Sequence, residues 1–437
     1  MYDIIIGRSK EDRERFGLKA AVFIGKQYVH MGQVTSLANK VYLDVNRSHV
    51  MLICGKRGGG KSYTLGVIAE GVADLPKEIK QNISVVLVDT MGVYWTMKYP
   101  NYKDEELLKK WGLKPKGLDV VIYTPHFYYD EYKRIGMPTD VPFAIQPSDF
   151  DPSDWALTFD IDENSALGVL LVRIINKMLR SGKLFDIDDI IAAIKEDKES
   201  DKTTKYALIN KFEVAKTWGL FKKQGTLLAD IVKGGQVTVL DVSCYATQAN
   251  GWKIKSLLLG LISKKLFIQR MIARKKEEFQ DIQRRRSFLS DISQEKQEFP
   301  LVWIVVDEAH EFLPRQGKTS ASDALIAILR EGRQPGINLI LATQQPGKIH
   351  TDAITQADIV LSHRLTAKID VDALSVIAQS YMHDTIETSL NVLPRVKGAG
   401  ILFDDTNERL FEVQIRPRFT WHGGEAPTAL KEIKKFI

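Results

Sequence analysis

The sequence predicts an α/β protein with a mainly parallel sheet, and three observations indicate that fold class. An apolar run at residues 50–54 leads into a glycine-rich turn and then into a segment with helical spacing of apolar residues. Further apolar runs at residues 83–89, 236–241 and 301–307 each end in an aspartate. Segments of helical periodicity separate these runs. Strands that alternate with helices are typical of parallel sheets, which bind ligands at the carboxyl edge.

Length and composition describe a globular protein with one large domain and insertions, or with two ordinary domains. The chain has 437 residues, of which 44% are hydrophobic and 27% charged. Its two cysteines cannot build a zinc cluster and favour a reduced, cytoplasmic setting. We see no signal peptide, and the longest apolar stretch, residues 256–268, is too short to span a bilayer, so we expect no membrane partner. The net charge of +6 suits a polyanionic partner without requiring one.

Short apolar strands are predicted near the start of the chain. They lie at residues 3–6, 20–24, 28–30 and 41–45, with glycines between them. Such spacing is typical of a small antiparallel leader or a partial barrel. With only 46 residues, this leader is too small to be a convincing independent domain.

The stretch at residues 55–62, GKRGGGKS, is a complete Walker A motif between a strand and a helix. Glycines let backbone N–H groups converge on phosphate oxygens, and the helix N-terminus adds a positive field. Lys61 would reach the β and γ phosphates of a nucleoside triphosphate, and Ser62 would hold Mg²⁺. A glycine-rich turn without a ligand is the alternative, but the motif is complete in its structural setting. The expected phosphate-binding residues are Gly55, Gly58, Gly59, Gly60, Lys61 and Ser62.

Asp89 closes the next buried strand and is therefore expected at the ligand-binding edge of the sheet. The aromatic segment at residues 126–129 could stack on nucleic-acid bases or pack a loop. Helical spacing then predominates, and it indicates a helical insertion in the core. We divide the chain into four units: residues 1–46 as a β-rich leader, 47–148 as the first part of the core, 149–233 as the helical insertion, and 234–437 as the second part of the core with a C-terminal hairpin and an extended tail.

A second motif follows the apolar run that begins at residue 301, where two acidic residues close a strand as in Walker B. Asp307 would belong to the Mg²⁺ shell, and Glu308 would orient or deprotonate the attacking water. The neighbouring His-Glu pair starts a zinc-protease signature, but Pro314 occupies the place of its second histidine. The zinc interpretation therefore fails.

Two further features remain open at this stage. Gln344 follows a core strand, where its amide could touch the γ-phosphate or the attacking water, or could simply cap the strand. A long helix predicted from residue 253 runs into three arginines at residues 284–286. Contact with DNA and a solvent-exposed helix end explain these arginines about equally well.

Taken together, the motifs resemble the HerA branch of the HerA–FtsK ATPases, which are RecA-like motor proteins, from about Tyr42 onward. The resemblance rests on the P-loop with its following YTL, VD at 88–89 with YW at 94–95, DEAHE at 307–311, EGR at 331–333, ATQ at 342–344, and the closing RPR at 416–418 with HGG at 422–424.

The resemblance implies a homohexameric ring that hydrolyses ATP with Mg²⁺ and moves duplex DNA, in some members together with a nuclease or another effector. It assigns phosphate contact to Lys61, Mg²⁺ to Ser62 and Asp307, catalysis to Glu308, a sensor to Gln344, an arginine finger to Arg333, and positions beside the nucleotide to Tyr63 and Asp89. It also implies a basic residue before the P-loop strand, which either Arg47 or His49 could supply. Val93 replaces an acidic residue of the family, and the family's N-terminal barrel is reduced here to the 46-residue leader.

Other functions compete with this one. An ATP-binding subunit could build a ring around an effector without pumping DNA, because no element of the sequence clearly reads DNA. The DEAH string also occurs in a helicase superfamily with two RecA-like domains, but this chain has a single P-loop motif. Arg333 could likewise neutralise a helix C-terminus instead of acting as a finger.

Overall fold

The computed structural model describes residues 2–31, 34–286, 299–378, 390 and 393–424. Thirteen strands lie within these residues: β1 (Ile4–Ile6), β2 (Ala21–Met31), β3 (Val34–Asp44), β4 (Val50–Cys54), β5 (Ile83–Asp89), β6 (Val120–Pro125), β7 (Val141–Phe143), β8 (Val237–Asp241), β9 (Leu301–Val306), β10 (Ile337–Thr343), β11 (Ile359–His363), β12 (Ala399–Asp404) and β13 (Arg409–Ile415). They form one sheet in the order β1-β3-β2-β13-β12-β11-β4-β10-β9-β5-β8-β6-β7.

Helices connect these strands. In the same described residues they are α1 (Lys10–Phe16), α2 (Lys61–Ala73), α3 (Lys77–Lys80), α4 (Glu105–Lys110), α5 (His126–Arg134), α6 (Pro152–Phe159), α7 (Ala166–Arg180), α8 (Ile187–Glu196), α9 (Lys202–Lys216), α10 (Leu228–Ile231), α11 (Gly251–Arg286), α12 (Ser322–Glu331), α13 (Thr351–Thr355) and α14 (Lys368–Ala378). Among the described residues no helix is long and apolar enough to cross a membrane. Helices α6 to α10 lie between β7 and β8, where we expected a helical insertion. The division of the chain into four units stays a prediction.

The centre of the sheet is parallel. All neighbouring strands from β11 to β7 pair in parallel, whereas β12 and β13 form an antiparallel hairpin beside β11. Strand β4, which leads into the P-loop, therefore lies between β11 and β10, with β9 one strand further away. The predicted α/β fold with a mainly parallel, RecA-like sheet is confirmed.

The N-terminal strands belong to the same sheet. Strand β2 pairs with β3 on one side and with β13 on the other. Helix α1, which we did not predict, lies between β1 and β2 and starts after Ser9, whose side chain accepts a hydrogen bond from the Asp12 backbone. Its sequence, KEDRERF, is almost entirely charged and so lacks the apolar periodicity on which the prediction relied.

Both faces of the parallel sheet are covered by apolar side chains. Met51 and Ile53 of β4 face the layer that contains α2, whereas Leu52 faces the layer that contains helices α6 to α9, α11 and α12. All three are fully buried. Parallel strands that are buried on both faces of the sheet appear in the sequence as continuous apolar runs. This explains why these strands are easy to predict from the sequence.

Candidate nucleotide-binding site

The P-loop connects β4 to α2, and its glycines adopt backbone conformations that other residues avoid. Gly58 and Gly60 have φ values of 75° and 113°, in the range where a Cβ atom causes strain. No side chain caps α2 at Gly60. The first N–H groups of the helix are therefore available to an anion, as in other phosphate-binding loops.

His363, at the end of β11, forms the floor of the P-loop. A Cβ atom on Gly55 would lie 2.8 Å from the Cβ of His363, so this close approach requires glycine. The ring Nδ1 lies 3.0 Å from the Ala399 carbonyl and Nε2 lies 2.9 Å from the Thr64 hydroxyl. Burial lowers the pKa of His363 to about 4, and the charge of Lys61 adds to this shift. The neutral ring therefore donates from Nδ1 to Ala399 and accepts from Thr64 at Nε2.

The structure brings Lys61, Ser62 and Asp307 together. Ser62 Oγ donates a hydrogen bond of 2.5 Å to Asp307 Oδ2, which links the start of α2 to the end of β9. Lys61 is 6% exposed. Burial lowers the pKa of its ammonium group, and the carboxylates of Asp307 and Glu308 oppose that shift. This cluster places a cation, a hydroxyl and two carboxylates at the carboxyl edge of the sheet.

Glu308 lies beside this cluster in a left-handed backbone conformation, with φ at 52°. Such strain in a non-glycine residue is often found at functional sites. Oε1 of Glu308 accepts a hydrogen bond from the Gln344 amide. Oε2 is buried without a hydrogen-bond partner among the described residues. Burial raises the pKa of Glu308, the charge of Asp307 raises it further, and the Gln344 hydrogen bond opposes the shift.

Tyr94 is a member of this cluster that we did not assign to the site from sequence. Its side chain is 1% exposed, and its hydroxyl makes no well-formed hydrogen bond with the described residues. Burial raises its pKa well above the usual value, and the nearby charges of Asp307 and Asp89 act in the same direction. The hydroxyl therefore lies close to the carboxylates of the site as a neutral group. The YW pair at residues 94–95 was the only sequence signal for it.

Asp89 ends β5 at the carboxyl edge of the sheet, and its expected place beside a nucleotide stays a prediction. Its carboxylate is fully buried and accepts hydrogen bonds from the backbone N–H groups of residues 91–94, at 2.7–3.3 Å. Burial raises its pKa to about 7, the charge of Asp241 adds to this, and the loop N–H groups oppose it. These hydrogen bonds hold the loop that carries Tyr94. Val93, which replaces an acidic residue of the family, belongs to that loop.

Tyr63 connects the P-loop helix to the C-terminal tail. Its hydroxyl accepts a hydrogen bond of 2.6 Å from the backbone N–H of Arg418. Two turns further along, Glu70 forms ion pairs with Arg416 at 2.8 Å and with Arg418 at 3.0 Å. These three charged residues are each at most 2% exposed. We define this arrangement of residues 416–420 on α2 as the tail clamp. Within the tail clamp, the hydroxyl of Tyr63 has a hydrogen-bond partner in the protein itself.

Arg333 lies away from the P-loop of its own chain. It is exposed in the turn between α12 and β10, four residues before β10 begins. Because Gln344 follows the other end of this strand, the strand's length of roughly 20 Å separates Arg333 from its own site. The structure therefore does not unite Arg333 with the other predicted site residues.

Arg47 and His49 also precede the start of a core strand, β4, at the edge opposite the P-loop. Arg47 forms an ion pair with Asp12 at 2.8 Å. His49 is buried, with ring nitrogens 2.6 Å from Asp358 and 3.2 Å from Asp44. Although burial opposes the charge, hydrogen bonds to these two carboxylates raise the pKa of His49 to about 9. Neither residue reaches the P-loop of its own chain.

The P-loop after β4, the carboxylates after β9 and the amide after β10 thus share one edge of a parallel sheet. This fold and this site define a P-loop ATPase of the RecA-like class. Residues 29–262 match the family model described as "Helicase HerA, central domain". The chain belongs to this family, which confirms the resemblance inferred from its motifs.

Two archaeal proteins are similar in sequence. The chain is 22% identical over 362 residues to the "Probable DNA double-strand break repair helicase HerA" of Methanocaldococcus jannaschii, and the match covers 77% of this chain and 66% of that protein. It is 26% identical over 168 residues to the "DNA double-strand break repair helicase HerA" of Pyrococcus furiosus, with 37% and 30% covered. The matches thus span less than two thirds of both relatives.

A solved structure shares the fold. VirB4 of Thermoanaerobacter pseudethanolicus superimposes with a TM-score of 0.52 at 13% sequence identity, over 91% of this chain and 97% of that chain. At this identity the comparison shows a common architecture.

Proposed function

We propose that this protein is an ATP-driven motor that moves along duplex DNA as a homohexameric ring. One observation carries the catalytic part of the proposal. Oε2 of Glu308 is buried without a hydrogen-bond partner among the described residues, 3.7 Å from Nδ1 of His310 and beside the Ser62–Asp307 hydrogen bond and Lys61. A carboxylate in this position, with a pKa raised by burial, is suited to take a proton from water.

The proposed reaction is the hydrolysis of the terminal phosphate. A water oxygen attacks the γ-phosphorus of ATP, and the bond from this phosphorus to the β–γ bridging oxygen breaks. Oε2 of Glu308 accepts the proton that the water loses and later returns it to solvent, which leaves ADP and inorganic phosphate. Lys61 and the N–H groups at the start of α2 stabilise the negative charge on the phosphates, while Gln344 holds the other oxygen of Glu308.

The donor set near the P-loop suits Mg²⁺. Ser62 offers a hydroxyl oxygen and Asp307 a carboxylate oxygen, and hard oxygen donors in small numbers are typical of magnesium bound together with phosphates. These two residues would hold the ion. When bound, Mg²⁺ supplies positive charge to the phosphate oxygens.

A ring gives Arg333 a function that its own chain does not provide. Arg333 is exposed at the edge of the sheet opposite its own P-loop, where it is available to a neighbouring subunit. A cation supplied in this way to the γ-phosphate typically raises the hydrolysis rate about 10³–10⁵-fold. We therefore assign it as an arginine finger that acts between subunits.

Duplex DNA is the proposed track. The relatives named above are described as DNA double-strand break repair helicases, and the net charge of +6 favours a polyanion. A motor that travels along DNA needs contacts with phosphates more than with bases, so its affinity should fall steeply with salt and vary little with sequence. A nuclease or another effector would then bind the moving ring as its partner protein.

The test is the ATPase rate with and without linear duplex DNA. We expect strong stimulation by DNA of any sequence and a loss of turnover, with retained ATP binding, in Glu308→Gln. Glu311→Gln is the matched control, because Glu311 is more exposed and lies outside the Glu308–Gln344 pair. An ATPase that ignores DNA would instead support a ring-forming assembly subunit. Normal turnover in Glu308→Gln would remove the catalytic assignment.

A further inference from the structure

Residues 393–398, here named the 393–398 loop, lie at the mouth of the P-loop. The loop leads into β12, which is antiparallel to β11, and His363 at the end of β11 pairs with Gly400 near the start of β12. Because β11 and β4 run in parallel, the loop lies at the edge of the sheet where the P-loop emerges. No residue of this loop was assigned to the site from sequence.

The loop also touches the P-loop directly. A Cβ atom on Gly60 would lie 3.5 Å from the backbone nitrogen of Gly398 and 3.6 Å from its Cα. Next to Gly398, the carbonyl of Ala399 accepts the hydrogen bond from His363, whose other ring nitrogen contacts Thr64 of α2. The end of the loop and the phosphate-binding glycines are thus held at a fixed distance.

Backbone contacts hold the loop in place. Gly398 has φ at 85°, which allows the chain to turn into β12. The carbonyl of Lys397 accepts a hydrogen bond of 2.9 Å from the side chain of Gln414 in β13. The Ala399 N–H donates to the Val396 carbonyl at 3.3 Å. A loop that is fixed through its backbone can present its side chains in defined positions.

Three consecutive side chains of the loop face solvent. Arg395, Val396 and Lys397 are all exposed, and Val396 exposes 59% of its surface. Two cations around an exposed aliphatic side chain match a ligand that has both an anionic part and a flat apolar face. A nucleotide has both, in its phosphates and its base.

The position of the loop decides which part of a nucleotide it could meet. The groups for the γ-phosphate, Asp307, Glu308 and Gln344, follow β9 and β10 on one side of β4. The 393–398 loop lies on the other side of β4, beyond β11. A triphosphate held by the P-loop with its γ end toward β10 therefore directs its nucleoside end toward β11 and β12.

We propose that the 393–398 loop is the subsite for the nucleoside end of the bound triphosphate. Val396 covers the face of the base, and Arg395 and Lys397 meet the ribose and the α-phosphate. This inference rests on the proposed nucleotide site, because it needs the β and γ phosphates to be held at Lys61. It predicts that the loop distinguishes ATP from a triphosphate that lacks a nucleoside.

Calorimetric titration of the full chain with a non-hydrolysable ATP analogue and with inorganic tripolyphosphate tests the subsite. In the triple variant Arg395→Ala, Val396→Ser, Lys397→Ala we expect affinity for the ATP analogue to fall at least about tenfold, as the loss of a charge-assisted contact implies. Affinity for tripolyphosphate, which keeps a phosphate in the α position but has no ribose or base, should fall by much less than affinity for the ATP analogue. Lys109→Ala with Lys110→Ala, two exposed lysines of α4, is the control and should change neither affinity.

The other outcomes are equally informative. An unchanged affinity for the ATP analogue, or equal losses for both ligands, overturns the nucleoside subsite. Lys61→Ala tests the underlying site separately, because it should weaken both ligands. If it weakens neither, the proposed nucleotide site fails, whatever the triple variant shows. Thermal unfolding of each variant checks that the exposed substitutions leave the fold intact.

Discussion

Among single residues, Glu308 and Gln344 link the geometry of the site to its pH dependence. Burial raises the pKa of Glu308, while the Gln344 amide favours the charged carboxylate. As a base, Glu308 acts only when deprotonated, so turnover should decline as the pH falls through a midpoint above the usual glutamate value. Gln344→Leu should move this midpoint upward, since it removes the hydrogen bond to the carboxylate. Gln345→Leu, at the neighbouring position, should leave it in place. Profiles of kcat against pH for the three proteins provide the measurement.

His49 supports a prediction about stability. Its folded pKa of about 9 lies above the ordinary value of 6.5 because of Asp358 and Asp44, although burial opposes this. The stabilisation is therefore complete below pH 6.5 and is lost as the pH rises toward 9. The free energy of unfolding should fall by about 3 kcal/mol over this interval. Urea titrations at several pH values measure this change. His49→Gln should abolish it, and a flat wild-type profile would contradict the assignment.

Sequence identifies those site residues whose role follows from their own motif. The cluster of Lys61, Ser62 and Asp307 assembles as expected because a strand end and a helix start fix both sides of it. The roles of His363 and Tyr94 depend on strands and loops that are distant in the chain, so no local pattern shows them. The carboxylate of Asp89 accepts hydrogen bonds from the backbone N–H groups of its own loop, which the sequence did not show, and its place beside the nucleotide stays a prediction. The 126–129 aromatic segment begins α5, and its proposed contact with bases stays a prediction.

Among the secondary-structure elements, the tail clamp makes the P-loop helix dependent on the C-terminal segment. Glu70 of α2 is fully buried between Arg416 and Arg418. Removal of Glu70 leaves two buried arginines without a carboxylate, and removal of Arg418 takes away one of the two cations that bind this carboxylate. Loss of a buried ion-pair partner typically costs about 3–5 kcal/mol. We therefore expect Glu70→Ala and Arg418→Ala each to lower the free energy of unfolding by that amount.

An exposed ion pair provides the matched control for this prediction. Lys116 pairs with Asp74 just beyond the end of α2, and both side chains are about half exposed. Lys116→Ala should cost less than about 1 kcal/mol, as surface pairs usually do. Chemical denaturation of all three variants measures the difference, and equal effects of Lys116→Ala and Arg418→Ala would refute the clamp.

Strands β4, β9 and β10 could be predicted because their burial on both faces leaves continuous apolar runs. The position of β2 beside β13 could not, since pairing between residues almost 390 positions apart depends on the whole topology. Helix α1 was missed because its charged sequence lacks an apolar stripe. Local periodicity thus reveals the parallel centre of the sheet but not the way in which the two ends of the chain extend it.

For the whole molecule, the position of Arg333 predicts active sites shared between subunits. Arg333→Ala and Glu308→Gln should each be nearly inactive, because the first lacks the finger and the second lacks the base. Mixed rings should recover hydrolysis wherever an intact Glu308 meets an intact Arg333 from the next subunit. Steady-state ATPase assays of mixtures at several ratios measure the recovery.

Arg330→Ala is the control for this experiment. Arg330 lies one turn earlier, where it pairs with Asp352 at 2.7 Å, and its removal should leave turnover close to normal. Near-normal turnover in Arg333→Ala, or a fully active monomer, would contradict the shared site. Failure of the mixtures to recover any activity, with both variants still assembled, would contradict it as well.

The tail clamp also has a consequence for the order of events during synthesis. Thr420 donates both its backbone N–H and its hydroxyl to the Glu70 carboxylate, and it follows Glu70 by 350 residues in the chain. At about 5–20 residues per second, the ribosome needs tens of seconds to cover that distance. Throughout this period Glu70, on the helix that also carries Lys61 and Ser62, lacks the partners that allow its carboxylate to be buried. The phosphate-binding loop therefore reaches its working form only after residues 416–420 have been synthesised, well after its own residues leave the ribosome.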